Sequence, residues 1–178
     1  MTTAPNANVL ISKEQLDLRI RALGETLTRD YAGKNLLCVG ILKGSFMFFA
    51  DLVRAIDLPL EIDFLGASSY GDRLSSSGVV KFTLDLGRSI ENRHVLLVED
   101  IIDTGNTLQY LLETLRLRNP ASLKLCTLLV KPTKLKTKMP LDYVGFEIED
   151  KFVIGYGMDA AEKYRNLGYI GYIDSDGK

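Results

Sequence analysis

The chain has no tryptophan, one histidine and two cysteines in 178 residues. Two cysteines and His94 cannot assemble a Cys/His zinc centre. His-dependent nucleophilic catalysis is also disfavoured, because His94 sits beside Arg93 at the expected start of a strand, where a structural or solvent-facing role is the ordinary one. Cys38 and Cys126 lie in the apolar runs LLCVG and LKLCTLLV, which suits reduced, buried thiols better than a disulfide or a metal site. Positive charge is not in excess: 22 Lys and Arg stand against 23 acids, for a net charge of -1. No overall field is therefore available to hold a nucleic-acid backbone, and a charged ligand must be met locally. No apolar run approaches the roughly 20 residues of a membrane span. The opening MTTAPNANVLISKEQ lacks a basic stretch followed by an apolar one, so a soluble, cytoplasmic protein is expected. The G-x-x-x-x-G-K-[ST] phosphate loop, internal repeats and low-complexity tracts are missing too.

What is present is enough apolar sequence, 46% of residues, for one substantial core. We expect a single domain over 1–178, with residues 1–8 disordered. Leu16, Ile20, Leu23 and Leu27 recur at helical spacing between Ser12 and Tyr31, and Ser12 with Gln15 resembles a capping box. LLCVGIL (36–42) is a continuous apolar run, the mark of a strand buried on both faces, and HVLLV (94–98) and SLKLCTLLV (122–130) read as two more buried strands. LEIDFLGASSY (60–70) reads as another strand and GDRLSSSG (71–78) as a polar loop. VVKFTLDL (79–86) alternates, which assigns Val80, Phe82, Leu84 and Leu86 to one face and Lys81, Thr83 and Asp85 to the other. Helical patterns follow the first two buried strands: FMFFADLVRAI, then Leu108, Leu111, Leu112 and Leu115. DYVGFEI, FVIGYG and YIGYI are short β-rich pieces. Buried strands alternating with helices predict an α/β fold whose mainly parallel sheet is covered on both faces. In such sheets ligands gather beyond the carboxyl ends of the strands, here at 43–45, 99–107 and 131–138.

The loop EDIIDTGNT (99–107) carries the most chemistry. Thr104-Gly105-Asn106-Thr107 opens a helix whose first N–H groups lack intrahelical partners, and two hydroxyls can add donors, which makes an anion site. A plain N-cap is the ordinary alternative. Without a lysine in the loop, a monophosphate fits better than a nucleoside triphosphate. A phosphate beside Glu99, Asp100 and Asp103 would be repelled unless a divalent cation or a ligand with hydroxyl donors separates the charges. A ribose 5-phosphate has that polarity, and carboxylates near its C1′ would stabilise positive charge developing there. Ile101 and Ile102 between the acids argue against a merely solvated acidic loop.

VLLVEDIIDTGNTL resembles the phosphoribosyl-diphosphate loop of the type I phosphoribosyltransferases, in the form used by their hypoxanthine/guanine, purine-salvage branch. The likeness runs from about Leu36 to Ile173 and takes in LKGS (42–45), SSY (68–70), LLVK (128–131) and DKFVIGYGMDAAEKYRNL (150–167). It implies the family's fold, with a small hood built from parts of the N-terminal segment and of 143–178. It also implies transfer of a 5-phosphoribosyl group from phosphoribosyl diphosphate to a 6-oxopurine, hypoxanthine and also guanine, giving IMP or GMP and pyrophosphate. Glu99 and Asp100 would accept hydrogen bonds from the ribose hydroxyls, directly or through metal-bound water, and Asp103 would act as general acid/base at purine N7. Thr104, Gly105, Asn106 and Thr107 would cradle the 5′-phosphate.

Lys43, Gly44 and Arg165 would bind pyrophosphate, at a Lys43 peptide that is commonly strained or cis in the family. Lys131 would donate to the oxygen at C6, selecting 6-oxopurines over adenine, while Phe152 stacks on the ring and Val153 presents main-chain groups. Asp159, with Glu99 and Asp100, would hold Mg2+, an ion that keeps waters and needs one or two carboxylates plus phosphate oxygens. Ser69 and Tyr70 would begin a lid that closes to exclude water. The likeness further implies a homodimer or homotetramer. Two departures stand out: Asn106 where some members carry lysine, and Ala160-Ala161 where an aromatic residue often follows the aspartate. A regulator on the same fold that senses phosphoribosyl diphosphate and binds nucleic acid is the competing reading, disfavoured by the near-zero net charge. A phosphatase needs a compact D-x-D spacing that E-D-x-x-D does not supply.

Overall fold

The computed structural model describes residues 7–69 and 80–173. Its larger sheet has six strands in the order β4-β3-β2-β5-β6-β7. These are β2 (Leu36–Leu42), β3 (Glu61–Ser69), β4 (Val80–Leu84), β5 (His94–Ile102), β6 (Ser122–Val130) and β7 (Tyr143–Glu147). All neighbours are parallel except β3 and β4. Three helices flank it: α1 (Lys13–Asp30), α2 (Phe46–Ala55) and α3 (Asn106–Arg116). The reason β2, β5 and β6 are apolar at successive positions is visible in the packing. Cys38, Leu96, Val98, Cys126 and Leu128 face the core under α1 and α2, while Leu37, Val39, Val95, Leu97 and Leu125 face the core under α3. Each strand is thus shielded on both sides.

The capping box expected at Ser12 is formed: its backbone N–H donates to Gln15 Oε1 at 2.8 Å, and its hydroxyl accepts from Gln15 N. Leu16, Ile20, Leu23 and Leu27 are the buried stripe of α1. His94 is structural, its Nδ1 2.8 Å from Ser122 Oγ. A second, three-stranded antiparallel sheet of order β1-β9-β8 forms a hood from β1 (Ala7–Ile11), β8 (Phe152–Ile154) and β9 (Ile170–Ile173).

Four expectations need correction. Glu99 to Ile102 are strand rather than loop, because β5 keeps pairing with β6 as far as Ile102 with Val130. Leu84 leaves the face of Phe82: a bulge sets Gly66 opposite Leu84 and Ala67 opposite Phe82, so the two side chains diverge and Leu84 is exposed. Tyr143–Glu147 joins the main sheet beside β6 instead of the hood. Ala7 and Asn8 are ordered, held by β9. Of the two residues expected to begin a lid, Ser69 is the last residue of β3, paired with Val80, and Tyr70 lies outside the described residues, as do 71–79.

The crossover β2–α2–β3 leaves the middle of the sheet one way and β5–α3–β6 the other. The switch point therefore falls between the carboxyl ends of β2 and β5. No helix among the described residues is long and apolar enough to cross a membrane. Both cysteines are buried and unpaired, and burial pushes the Cys38 thiol up to about 12 and raises Cys126 likewise. Neither should react with a soluble aromatic disulfide in the native protein at pH 8, and both should once guanidinium unfolds it. Fast reaction of either native thiol would contradict this packing.

Candidate active site

At the switch point the β2–α2 turn, Lys43-Gly44-Ser45, meets the end of β5. The Leu42–Lys43 peptide is cis. Gly44 is pressed so closely against β5 that a Cβ there would lie 1.8 Å from Asp100 Oδ2. On its other side Gly44 meets the segment after β8, where a Cβ on Gly157 (φ 102°) would lie 2.0 Å from the Gly44 carbonyl oxygen. Strand end, turn and hood are thereby locked into one surface.

Two clefts open on it. The first, of about 260 Å³, runs from Gly44, Glu99 and Asp100 to Thr104, Gly105 and Thr107. Gly105 is the N-cap of α3 at φ 84°, and no side chain caps the helix. Its first-turn N–H groups are left for an outside acceptor. Thr104 is fixed from behind, its carbonyl accepting from Lys136 N at 3.0 Å. Asn106 is exposed and does not line the cleft, so of the four-residue string it is the member farthest from a contact role.

The second cleft, about 230 Å³, is lined by Asp100, Asp103, Lys131, Phe152, Val153, Met158 and Asp159. Lys131 is almost fully buried where β6 ends. Its ammonium lies 3.2 Å from Asp150 Oδ1 and 3.7 Å from Asp103 Oδ2, which is what allows a charge to stay there. Asp150 also pairs with Lys134 at 2.8 Å, and Lys134 is the chief reason its carboxyl sits below the usual range. Phe152 is 58% exposed, a large aromatic face left open at the cleft. Val153 is buried, in β8, the edge strand of the hood, where alternate main-chain groups have no sheet partner.

The acids between the clefts are unlike one another. Glu99 is half-buried with its Oε2 enclosed and unpartnered, and desolvation, then the charge of Asp100, holds its carboxyl well above the usual range. Burial raises Asp100 too, opposed by the N–H groups of Ile101 and Asp100. Asp103 is about half exposed. Lys43 and Arg165 are brought together, but through a residue not singled out from the sequence: Glu162 Oε2 lies 3.1 Å from Lys43 Nζ and 3.5 Å from Arg165 Nη2. Arg165 also pairs with Asp159 at 2.7 Å and donates to the Gly157 carbonyl. Asp150 and Glu162 were missed because the site lysines they hold, Lys131 and Lys43, lie 19 and 119 residues away, and the three-residue spacing of Glu162 and Arg165 does not by itself mark a site.

A phosphoribosyl transferase domain matches residues 10–161. The chain belongs to the phosphoribosyltransferase family. Among phosphoribosyltransferases, hypoxanthine phosphoribosyltransferase of Haemophilus influenzae is 51% identical over 171 residues, covering 94% of this chain and 96% of that one. The crystal structure of a hypoxanthine phosphoribosyltransferase from Staphylococcus aureus superposes with a TM-score of 0.90 at 49% identity, over 94% of this chain and 91% of that. The Trypanosoma cruzi hypoxanthine phosphoribosyltransferase, in complex with the product IMP, superposes with 0.92 at 39% identity over the whole of both chains. The parallel α/β sheet read from the buried runs and the phosphoribosyltransferase fold implied by the resemblance are the ones observed.

The close approach at Gly44 sets a stability test. Gly157→Ala should lower stability by about 1–3 kcal/mol from overpacking and by a further ~1 kcal/mol from its φ, read by urea unfolding. Gly33→Ala, at φ 73° with nothing near its missing Cβ, should cost only the second amount. Equal costs would remove the contact argument.

Proposed function

We propose that this phosphoribosyltransferase transfers the 5-phosphoribosyl group from phosphoribosyl diphosphate to a 6-oxopurine, hypoxanthine and also guanine, in purine salvage. The observation that carries the reading is the shared wall of the two clefts. Asp100, Ile101 and Asp103 line both, with an uncapped helix N-terminus at one end and Lys131 with Phe152 at the other. A ligand laid across them has its phosphate at α3, its sugar along the acids and its base against Phe152.

In this reading the bond from C1′ to the diphosphate oxygen breaks as N9 of the purine bonds to C1′. Asp103, facing both clefts, takes the N7 proton, and its carboxylate opposes the positive charge at C1′. Glu99 and Asp100 accept from the ribose hydroxyls. Thr104, Gly105 and Thr107 donate to the 5′-phosphate, with Asn106 confined to its backbone. Lys131 donates to the C6 oxygen, where adenine offers a donor instead. Lys43, Gly44 and Arg165 receive the pyrophosphate.

A magnesium ion fits this acid set. Among the described residues Glu99, Asp100 and Asp159 do not stand together as one three-acid group, so an ion would take one or two carboxylates and complete its shell with substrate oxygens and water. The unpartnered Glu99 Oε2 beside Asp100 is an available donor set. Asp159 has one oxygen on Arg165 and the other on the Glu162 N–H, each with a lone pair to spare. When bound, the ion neutralises diphosphate charge and helps the group leave. A cytoplasmic homodimer or homotetramer belongs to the same reading, with sedimentation as its check.

Incubation with phosphoribosyl diphosphate, magnesium and each purine base in turn should yield IMP and GMP but no AMP; no nucleotide with any base would sink the reading. Asp103→Asn should lower kcat by about 10²–10⁴-fold with little change in phosphoribosyl-diphosphate binding. Lys131→Gln should raise the KM for hypoxanthine by about ten- to a hundredfold, the loss expected for one charge-assisted hydrogen bond in a buried site. An unchanged KM would move the recognition of the C6 oxygen elsewhere.

A further inference from the structure

Glu162 has no place in the reaction just described, yet it touches two of the cations assigned to pyrophosphate. One oxygen, Oε2, lies 3.1 Å from Lys43 Nζ and 3.5 Å from Arg165 Nη2. An oxygen of an anionic ligand held by the same two cations would need that same position. The backbone that delivers it is specialised. Ala160 and Lys163 pair across a two-residue hairpin turn, and its central residues, Ala161 (φ 51°) and Glu162 (φ 62°), both take the left-handed conformation. Such a turn ordinarily uses Asn and Gly, so Ala-Glu there is locally unfavourable. It is held by the Glu162 N–H donating to Asp159 Oδ2 at 2.8 Å. Strained left-handed residues of this kind cluster where geometry serves a ligand.

Resting on the pyrophosphate roles proposed above for Lys43 and Arg165, we propose that Glu162 is an internal competitor for pyrophosphate. Its carboxylate and the product's oxygens contend for the same two cations, so that Glu162 weakens retention of pyrophosphate and assists its departure. It is a positioning residue, since it acts through Lys43 and Arg165 and not on the reacting atoms. The Lys43 and Glu162 side chains are 70% and 68% exposed. Their pairing is accordingly screened, and contributes the modest energy of a surface ion pair. That size suits a group that must be displaced in every turnover. A buried ion pair would be too costly to break.

Inhibition of nucleotide synthesis by added pyrophosphate, against varied phosphoribosyl diphosphate at fixed magnesium, tests the idea. Glu162→Gln keeps the side chain's length and the turn's demand while removing the charge. It should lower the inhibition constant about two- to fivefold, the range of a partly exposed ion pair. Glu162→Asn, which eases the turn and also removes the charge, should give a similar fall, so that a folding defect in one variant leaves the other to decide. In a Lys43→Gln background the effect of Glu162→Gln should shrink to the part that runs through Arg165, and in wild-type background it should fall as salt rises. An unchanged or higher inhibition constant in both variants, with an active wild type that pyrophosphate inhibits, overturns the competitor role alone. A wild type that makes no nucleotide, or that pyrophosphate does not inhibit, overturns the underlying reading and this inference with it.

Discussion

The absence of any side chain on Gly44 is the constraint on which the rest of the site depends. The β2–α2 turn has the carboxylate of Asp100 on one side and the backbone of Gly157 on the other, at separations a single methyl would violate. Three segments distant in sequence therefore meet within one residue's width. β5 supplies the acids, the turn supplies Lys43, and the segment after β8 supplies Asp159 and Arg165. Because β2 and β5 are neighbours in the sheet, the turn and the acids are placed by ladder hydrogen bonds. The hood is not part of that sheet and is positioned against it by the contact at Gly157 together with Val153, Tyr156, Met158 and Ile170, which are buried in the core under α1 and α2. A loosened contact would therefore disturb the site and the core beneath it together.

Along this surface the local charge changes sign in an order that a phosphoribosyl compound reproduces. The positive end of α3 comes first, then the acids of β5, and then cations on two sides, Lys43 with Arg165 and Lys131. The acids can be held so close together because burial discourages their ionisation, with Glu99 pushed furthest. Hydroxyl donors or a cation reaching them would lower that penalty, most of all at Glu99, whose enclosed Oε2 has no partner. Stability and binding thus pull on the same carboxyl group.

Much of this was legible from residue order. Apolar runs of seven to nine residues give buried strands whatever their neighbours, and Ser12 with Gln15 announces a helix start that forms as expected. The string from Glu99 to Thr107 brought together an anion site and three acids, and the structure sets them on one wall. What could not be read depends on partners in space. Pairing with β6 carries β5 through its acids, and a bulge opposite Gly66 turns Leu84 outward. Tyr143–Glu147 carries the same short β-rich pattern as the hood strands, and only the open edge of β6 decides where it goes. Asp150 and Glu162 belong to segments whose composition looks like ordinary polar turns.

Those two acids share an arrangement with a common consequence. Asp150 divides its carboxylate between Lys131 and Lys134, and Glu162 divides its own between Lys43 and Arg165. A carboxylate engaged with two cations satisfies neither fully, since its charge and lone pairs are split between them. Lys131 is thereby stable enough to remain buried, yet retains attraction for a further oxygen such as a purine carbonyl. Lys43 and Arg165 are kept in place by Glu162 and still attract phosphate oxygens. Shared carboxylates hold the cations in position, partly neutralised, and at the exposed Lys43–Glu162 pair the energy of the contact is small.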